Sequence, residues 1–391
     1  MGHGEPISCA SRLPTGAHLL LGFLACVPLL AAVASGEPER AQFAQAGAAV
    51  DALFADLPQG VQPGAAVLVV RDGQIVHQAA YGYADVERRI PLTIESTFRL
   101  DSVSKQFTSM AVMLLAEDGK LAYDDPVSRY VPALATYPGV TIRHLLTHTG
   151  GLPEYYDVID TAHGWPSNAD AARLLGQMAK PVFAPGTRYE YSNPGYDMLA
   201  QVVEGASGKR FADFVHERIF VPLRMSHSLV HDHTRPEVPR RVLGYDRTAS
   251  GFELNDEHAL NGIVGSGGVF TTLGDLYLWD QALYGDKLVS RATLKQAFTP
   301  YVLTNGESTG YGFGWRIDEY RGMRHLHHGG SWVGFRSHIT RYPDVGLSIV
   351  ILANRSDVEP PGYVDRITDI YLPPTEPAPT NAMQAGHGSG Q

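Results

Sequence analysis

Strand-like apolar runs stand at the two ends of this chain and helical periodicity fills its middle, an order that few folds accommodate. Residues 64–86, GAAVLVVRDGQIVHQAAYGYADV, read as two strands joined at Asp72-Gly73, the dipeptide best suited to a two-residue hairpin turn. Towards the other end, YGFGWRID, MRHLHHGGS, GFRSHITRYP and GLSIVILANR read as successive short strands, with a tight turn near Pro343-Asp344. Between them, QFTSMAVMLLAEDGKL carries apolar residues at helical spacing and stops at Gly119, while GYDMLAQVVEGASGK starts after Asn193-Pro194 and stops near Gly208. An earlier helix is expected over VDALFADL, with Val50, Leu53, Phe54 and Leu57 on one face. The simplest architecture is a mixed α/β (α+β) fold. Both terminal sets of strands form one antiparallel sheet flanked by helices, the middle forms a mostly helical lobe, and a cleft lies between them.

Composition narrows the setting. The 391 residues, 44% hydrophobic and 18% charged, suffice for one large domain or two lobes sharing a cleft. A formal net charge of -10, from 31 Lys+Arg against 41 Asp+Glu, repels a phosphate backbone, and no basic run offsets it, so no nucleic-acid partner is expected.

Arg12 precedes HLLLGFLACVPLLAAVASG, an apolar run short for a membrane span, broken by Pro28 and ending in small residues. It reads as a secretory signal cleaved after Ala32-Val33-Ala34. A lipid-anchored Cys26 and an uncleaved membrane anchor are the weaker alternatives, the first because the apolar run continues through Leu29 and Leu30. The expected layout is a signal peptide over 1–34, a linker over 35–47, the folded domain over 48–372 and a disordered tail over 373–391. The protein is then secreted or periplasmic, with no stable membrane insertion after signal cleavage. Both cysteines, Cys9 and Cys26, fall in the leader, which leaves the folded domain without a disulfide, a cysteine-ligated metal or a thiol nucleophile.

Three stretches carry chemistry. In FRLDSVSKQFTSM, Ser102 and Lys105 are three apart and share a helix face, whereas Ser104 and Lys105 do not. A serine hydroxyl becomes nucleophilic when a neighbouring base takes its proton, and a lysine serves once its ammonium is made acidic. Placed in the first helical turn, Ser102 would have the helix dipole disfavouring a charged lysine and free N–H groups for an oxyanion. The same residues also fit an ordinary helix start, with Asp101 or Ser102 as the cap and Lys105 solvated.

In GTRYEYSNPGY, an extended backbone would aim Tyr191 and Asn193 into one pocket. A phenol beside a cationic lysine would lose its proton below its usual pKa and act as base, while the amide would hold a substrate carbonyl. The alternative makes Asn193 the cap of the helix that Pro194 begins, with Tyr191 in the core. In HHGGS, the paired Gly329 and Gly330 suggest a close approach of backbone to ligand, with the Ser331 N–H a candidate second oxyanion donor; a bulge explains the glycines equally well.

In this order the three motifs resemble those of the serine β-lactamase and penicillin-binding-protein superfamily, in the branch of class C β-lactamases, D-alanyl-D-alanine carboxypeptidases and related esterases. GKLAYDDPVSRYVP, IRHLLTHTGGLPEY, SGGVFTTLGDLYLWDQAL and YGFGWRI are similar to that family too, and the likeness covers roughly Val50 to Tyr371. It implies a β-lactamase/transpeptidase-like fold, Ser102 as the acyl-accepting nucleophile, Lys105 as its activating partner, Tyr191 as the catalytic tyrosine and Asn193 as the substrate-holding asparagine. The form Tyr-x-Asn argues against class A enzymes.

The family's third motif, Lys-Thr-Gly, here reads His328-Gly329-Gly330. A neutral histidine weakens recognition of the carboxylate on β-lactams or D-alanyl peptides, which counts against efficient β-lactamase activity and leaves hydrolysis of a less anionic ester or amide open. A pH-dependent hydrogen-bond donor in the pocket is the other role open to His328.

The expected activity is covalent serine hydrolysis of a small-molecule or peptide substrate through its ester, amide or lactam carbonyl. Esterase, carboxypeptidase and β-lactamase remain open, and the alternative is a β-lactam or cell-wall-fragment binder that does not turn over. No cofactor and no metal are expected. His144 and His148 lack the glutamate of a zinc protease, and His231-Asp232-His233 reads as a solvated loop. GSGGVFTT lacks the Gly-Lys-Ser/Thr ending of a phosphate loop and is expected at the cleft wall.

Overall fold

The strands from both ends of the chain meet in one sheet. The computed structural model describes Met1 and residues 36–373, apart from positions 56, 58, 59, 179, 235 and 236. Strands β1 (Ala65–Arg71) and β2 (Gln74–Tyr81) join β3 (Arg316–Tyr320), β4 (Met323–Trp332), β5 (Phe335–Tyr342) and β6 (Leu347–Ala353). The order is β3-β4-β5-β6-β1-β2, six strands with every neighbouring pair antiparallel. At the β1–β2 turn Asp72 and Gly73 have φ of 48° and 76°, the left-handed pair that a type I′ hairpin requires.

Continuous apolar runs mark the strands buried on both faces. Ala66 and Leu68 of β1 and Val350 and Leu352 of β6 face the helical lobe, while Val67, Val69, Ile349 and Ile351 face Phe54, Val364 and Ile367 on the other side. The second core is supplied by α1 (Gly36–Leu53) with the residues just after it, and by a C-terminal helix, Pro360–Tyr371. The linker expected over 35–47 is helical from Gly36 onward. It lacks an apolar stripe, but GEPERAQFAQAGAA is rich in Ala, with Glu and Gln, whose intrinsic propensity carries the helix to the point where Val50 and Phe54 reach the core. The leader expected over 1–34 and the tail from 374 onward lie outside the described residues, as do both cysteines.

The lobe is organised around α2 (Lys105–Glu117), whose residues from Lys105 to Leu115 are all buried. A helix enclosed on every side is a core element, and it packs against α3 (Asn193–Ser207). Ser192 caps α3 by accepting the Gly195 N–H at 3.1 Å, and Gly208 closes it in the left-handed conformation at φ 71°. Among the described residues no helix is long and apolar enough to cross a membrane.

Candidate active site

Ser102 lies in a tight 3-10 turn, Asp101–Ser104, that runs directly into α2. The serine therefore precedes the α-helix instead of occupying its first turn. Asp101, at φ 49°, bends the chain there, and neither it nor Ser102 is a side-chain cap. The three-residue spacing nevertheless brings the Lys105 Nζ to 3.2 Å from the Ser102 Oγ. Ser104 is fully buried and its Oγ accepts the Val269 N–H at 3.1 Å, away from the lysine.

Lys105 has no exposed surface. Its Nζ also donates to the Asn193 Oδ1 at 2.9 Å and to the Ser266 carbonyl at 3.0 Å. Burial pushes its pKa down from the usual amine range, against the pull of the Asp197 and Asp101 carboxylates. Two of its three partners can only accept. A neutral amine that keeps donating to Asn193 and Ser266 therefore turns its lone pair towards the Ser102 hydroxyl.

The Tyr191-Ser192-Asn193 segment enters from the lobe. Ser192, not Asn193, caps α3, which releases the Asn193 amide into the cleft. Tyr191 stands beside Ser102 and Lys105, with the lysine Nζ 4.8 Å from its ring centre. The phenol is not acidified as its proximity to a lysine suggests: burial raises its pKa, outweighing the neighbouring Ser102 hydroxyl and the Arg316 charge. Burial thus eases loss of the lysine proton and opposes loss of the phenol proton, so the amine is the better proton acceptor for Ser102.

The third motif forms the opposite wall, and its residues divide. Ser331 lines the cleft with Ser102, Asn193, Tyr156 and Trp332, around a space of about 400 Å³. Gly330 packs where a side chain would not fit, since a Cβ there would stand 2.4 Å from the Leu100 carbonyl oxygen and from the Ser337 Oγ. The glycine thus allows β4 to press against the turn that carries Ser102. Gly329 is less confined, since a Cβ there would meet the His338 ring at 3.3 Å.

His328 is neutral, as its first expected role requires, but it is not a hydrogen-bond donor in the pocket. It is buried, its Nδ1–H donates to the Gly329 carbonyl at 2.7 Å, and its Nε2 accepts from the Tyr311 hydroxyl at 2.9 Å. Burial and the nearby Lys105 push its pKa well down. With both nitrogens engaged inside the protein, it is a neutral wall behind the site and does not line the cleft.

A Beta-lactamase family model matches residues 50–370. This chain belongs to the β-lactamase family. Like other members of the serine branch, it is a serine hydrolase. It is 36% identical to penicillin-binding protein 4* of Bacillus subtilis over 325 residues, 78% of this chain and 71% of that protein. It is 31% identical to the D-aminopeptidase of Gluconobacter oxydans over 315 residues, 78% of this chain but only 58% of that protein. The octameric penicillin-binding-protein homologue of Pyrococcus abyssi superposes with a TM-score of 0.70 at 25% identity, covering 88% of this chain and 78% of that one.

Within this family member, three further groups near Lys105 shape the site, and of these Asp197 was not singled out in the sequence. The Ser266 carbonyl comes from the GSGGVFTT segment, where Ser266 and Gly267 do line the cleft wall. Asp197 follows Asn193 by one helical turn in NPGYD, a spacing that offered a signal. It is fully buried, accepts from the Tyr155 hydroxyl at 2.7 Å and the Ser266 N–H at 3.2 Å, and its pKa is pushed up by burial.

His148 is the third, held at φ 58° with its ring 4.4 Å from that of Tyr191. Its Nδ1 accepts the Ser192 N–H at 3.1 Å, so it fixes the segment that presents Tyr191 and Asn193. His144 serves a helix cap with Thr141, and Asp232 pairs with Arg210 at 2.6 Å. Among the described residues, neither histidine pair considered from the sequence is gathered as a metal-ligand group.

Proposed function

We propose that this protein, exported by its N-terminal leader, hydrolyses an amide or ester through a covalent acyl-enzyme on Ser102. The observation that carries the reading is the 3.2 Å approach of the Lys105 Nζ to the Ser102 Oγ, in a setting whose burial disfavours the ammonium. The neutral amine takes the Ser102 proton as Oγ bonds to the substrate carbonyl carbon, and the carbonyl electron pair moves onto oxygen. The N–H groups of Ser102 and Ser331 hold that oxyanion, and the Asn193 amide holds a second carbonyl of the substrate.

Collapse breaks the bond to the leaving amine or alcohol, which recovers the proton from Lys105 through the Tyr191 hydroxyl. Water then repeats the sequence on the acyl-enzyme, releasing the acid and restoring Ser102. His328 supports a substrate that is not strongly anionic, because it adds no cation where the Lys-Thr-Gly motif would. The D-aminopeptidase relatives support an amide as the scissile bond.

Fluorophosphonate labelling tests the nucleophile. Ser102→Ala should abolish both labelling and hydrolysis, while Ser104→Ala keeps labelling. Retained labelling of the Ser102 variant refutes the assignment. A panel of an aryl ester, nitrocefin and a D-alanyl peptide, with intact mass recorded after each, separates turnover from acylation that stops.

A further inference from the structure

The face of the sheet turned away from Ser102 carries a second cluster. Successive residues of a strand point to opposite faces, so His325 and His327 leave β4 on the side opposite His328. Asp318 of β3 is the cross-strand partner of His325. Its Oδ1 lies 2.7 Å from the His325 Nδ1 and its Oδ2 lies 3.2 Å from the His327 Nε2. The two imidazole rings are 4.2 Å apart and almost parallel, at 5°.

We propose that Asp318, His325 and His327 bind a zinc ion that clamps the edge strand β3 to β4. One carboxylate oxygen and two imidazole nitrogens lie within 4.8 Å of one another. Donors bound to one tetrahedral zinc at ~2.0 Å stand about 3.3 Å apart. Each histidine already stands at about that distance from one of the two Asp318 oxygens, and the rings must tilt out of their stack for both nitrogens to face one ion. The His325 Nε2 lies 3.4 Å from the Thr340 Oγ1, a partner for the tautomer that leaves Nδ1 free as ligand.

The setting suits a neutral nitrogen pair with one carboxylate. The His325 and His327 side chains are 12% and 17% exposed while Asp318 is 58% exposed, which leaves an entry path from solvent and room for water ligands. Asp365 adds negative charge near His325, and Arg316, opposite His327 in the ladder, adds a positive one. Two nitrogens and one oxygen select a borderline ion over calcium or magnesium.

The full-length protein, stripped with EDTA and dialysed, is titrated with zinc chloride by calorimetry, beside Asp318→Asn and the double variant His325→Gln/His327→Gln. The expected result is one saturable zinc per chain, weakened about tenfold or more by Asp318→Asn and lost in the double variant. The thermal midpoint should rise with zinc in the parent protein, less in Asp318→Asn at the same zinc concentration, and not in the double variant. Circular dichroism reports folding, and the exposed Asp318 gives a variant that stays folded even where the double variant does not. Absence of saturable binding in the parent, or unchanged binding in Asp318→Asn, overturns the proposal. Neither result bears on acyl transfer at Ser102, since the readout is metal binding alone.

Discussion

The Asn193 Oδ1 accepts a hydrogen bond from the Lys105 Nζ at 2.9 Å, tying the start of α3 to the start of α2. Holding its oxygen on the lysine turns the rest of the amide to the cleft that Asn193 lines. One residue thus orients the base and presents a donor to substrate.

Asn193→Ala removes both contacts. Losing a hydrogen bond to a charged or charge-developing group costs about 1.5–3 kcal/mol, which corresponds to a fall in kcat/KM of roughly 10–100-fold. Asn193→Asp has a further signature: a carboxylate beside the amine favours the ammonium, so the acidic limb of the kcat/KM profile moves to higher pH. An unmoved limb in Asn193→Asp would show that Lys105 does not set it.

Lys105→Arg keeps a cation but supplies no base, because guanidinium does not deprotonate in this range. Hydrolysis should fall by about 10²–10⁴-fold, the range for loss of general-base assistance. The labelling rate with a fluorophosphonate should fall in parallel, with circular dichroism confirming the fold. Near-normal labelling would assign proton removal to another group.

Activity and stability respond to acid for separate reasons. The lowered Lys105 pKa keeps the amine neutral as pH rises past it, so kcat/KM is lost as pH falls through that value. His148 and His328 are both held neutral by burial, below the usual 6.5. Below pH 6.5 the unfolded chain binds protons that the folded protein refuses, so unfolding free energy declines as pH falls. Each histidine contributes at most about 1.4 kcal/mol per pH unit. Urea unfolding at pH 7 and pH 5 measures this, and equal stability at the two values would contradict it.

Gly330→Ala tests the approach of β4 to the Ser102 turn. The added Cβ would meet the Leu100 carbonyl oxygen and the Ser337 Oγ at 2.4 Å each. The strand must retreat, at a cost of about 1–3 kcal/mol typical of overpacking. Both the thermal midpoint and kcat/KM should drop, whereas Gly329→Ala, whose nearest neighbour is the His338 ring at 3.3 Å, should be milder. Equal effects at the two positions would remove the case for close approach.

Much of the fold was legible because it is written locally. Asp72-Gly73 announced its hairpin, and the buried runs of β1 and β6 announced strands covered on both faces. The Ser102–Lys105 spacing survived even though the serine sits in a 3-10 turn, since residues three apart share a face there too. Helix α1 was less legible before Val50, because propensity without an apolar stripe leaves no periodic trace.

The sequence by itself determined which residues could approach one another along a strand or a helical turn, and that placed Ser102 with Lys105 and Tyr191 with Asn193 as candidates for one pocket. Only the tertiary structure decided their protonation and their partners. The enclosure of α2 lowers the Lys105 pKa, burial holds the Tyr191 proton in place, and Tyr311 engages His328 behind the cleft. The reason is physical: pairing along a helix or strand depends on spacing of a few residues, whereas desolvation and hydrogen-bond competition depend on atoms brought together from distant parts of the chain.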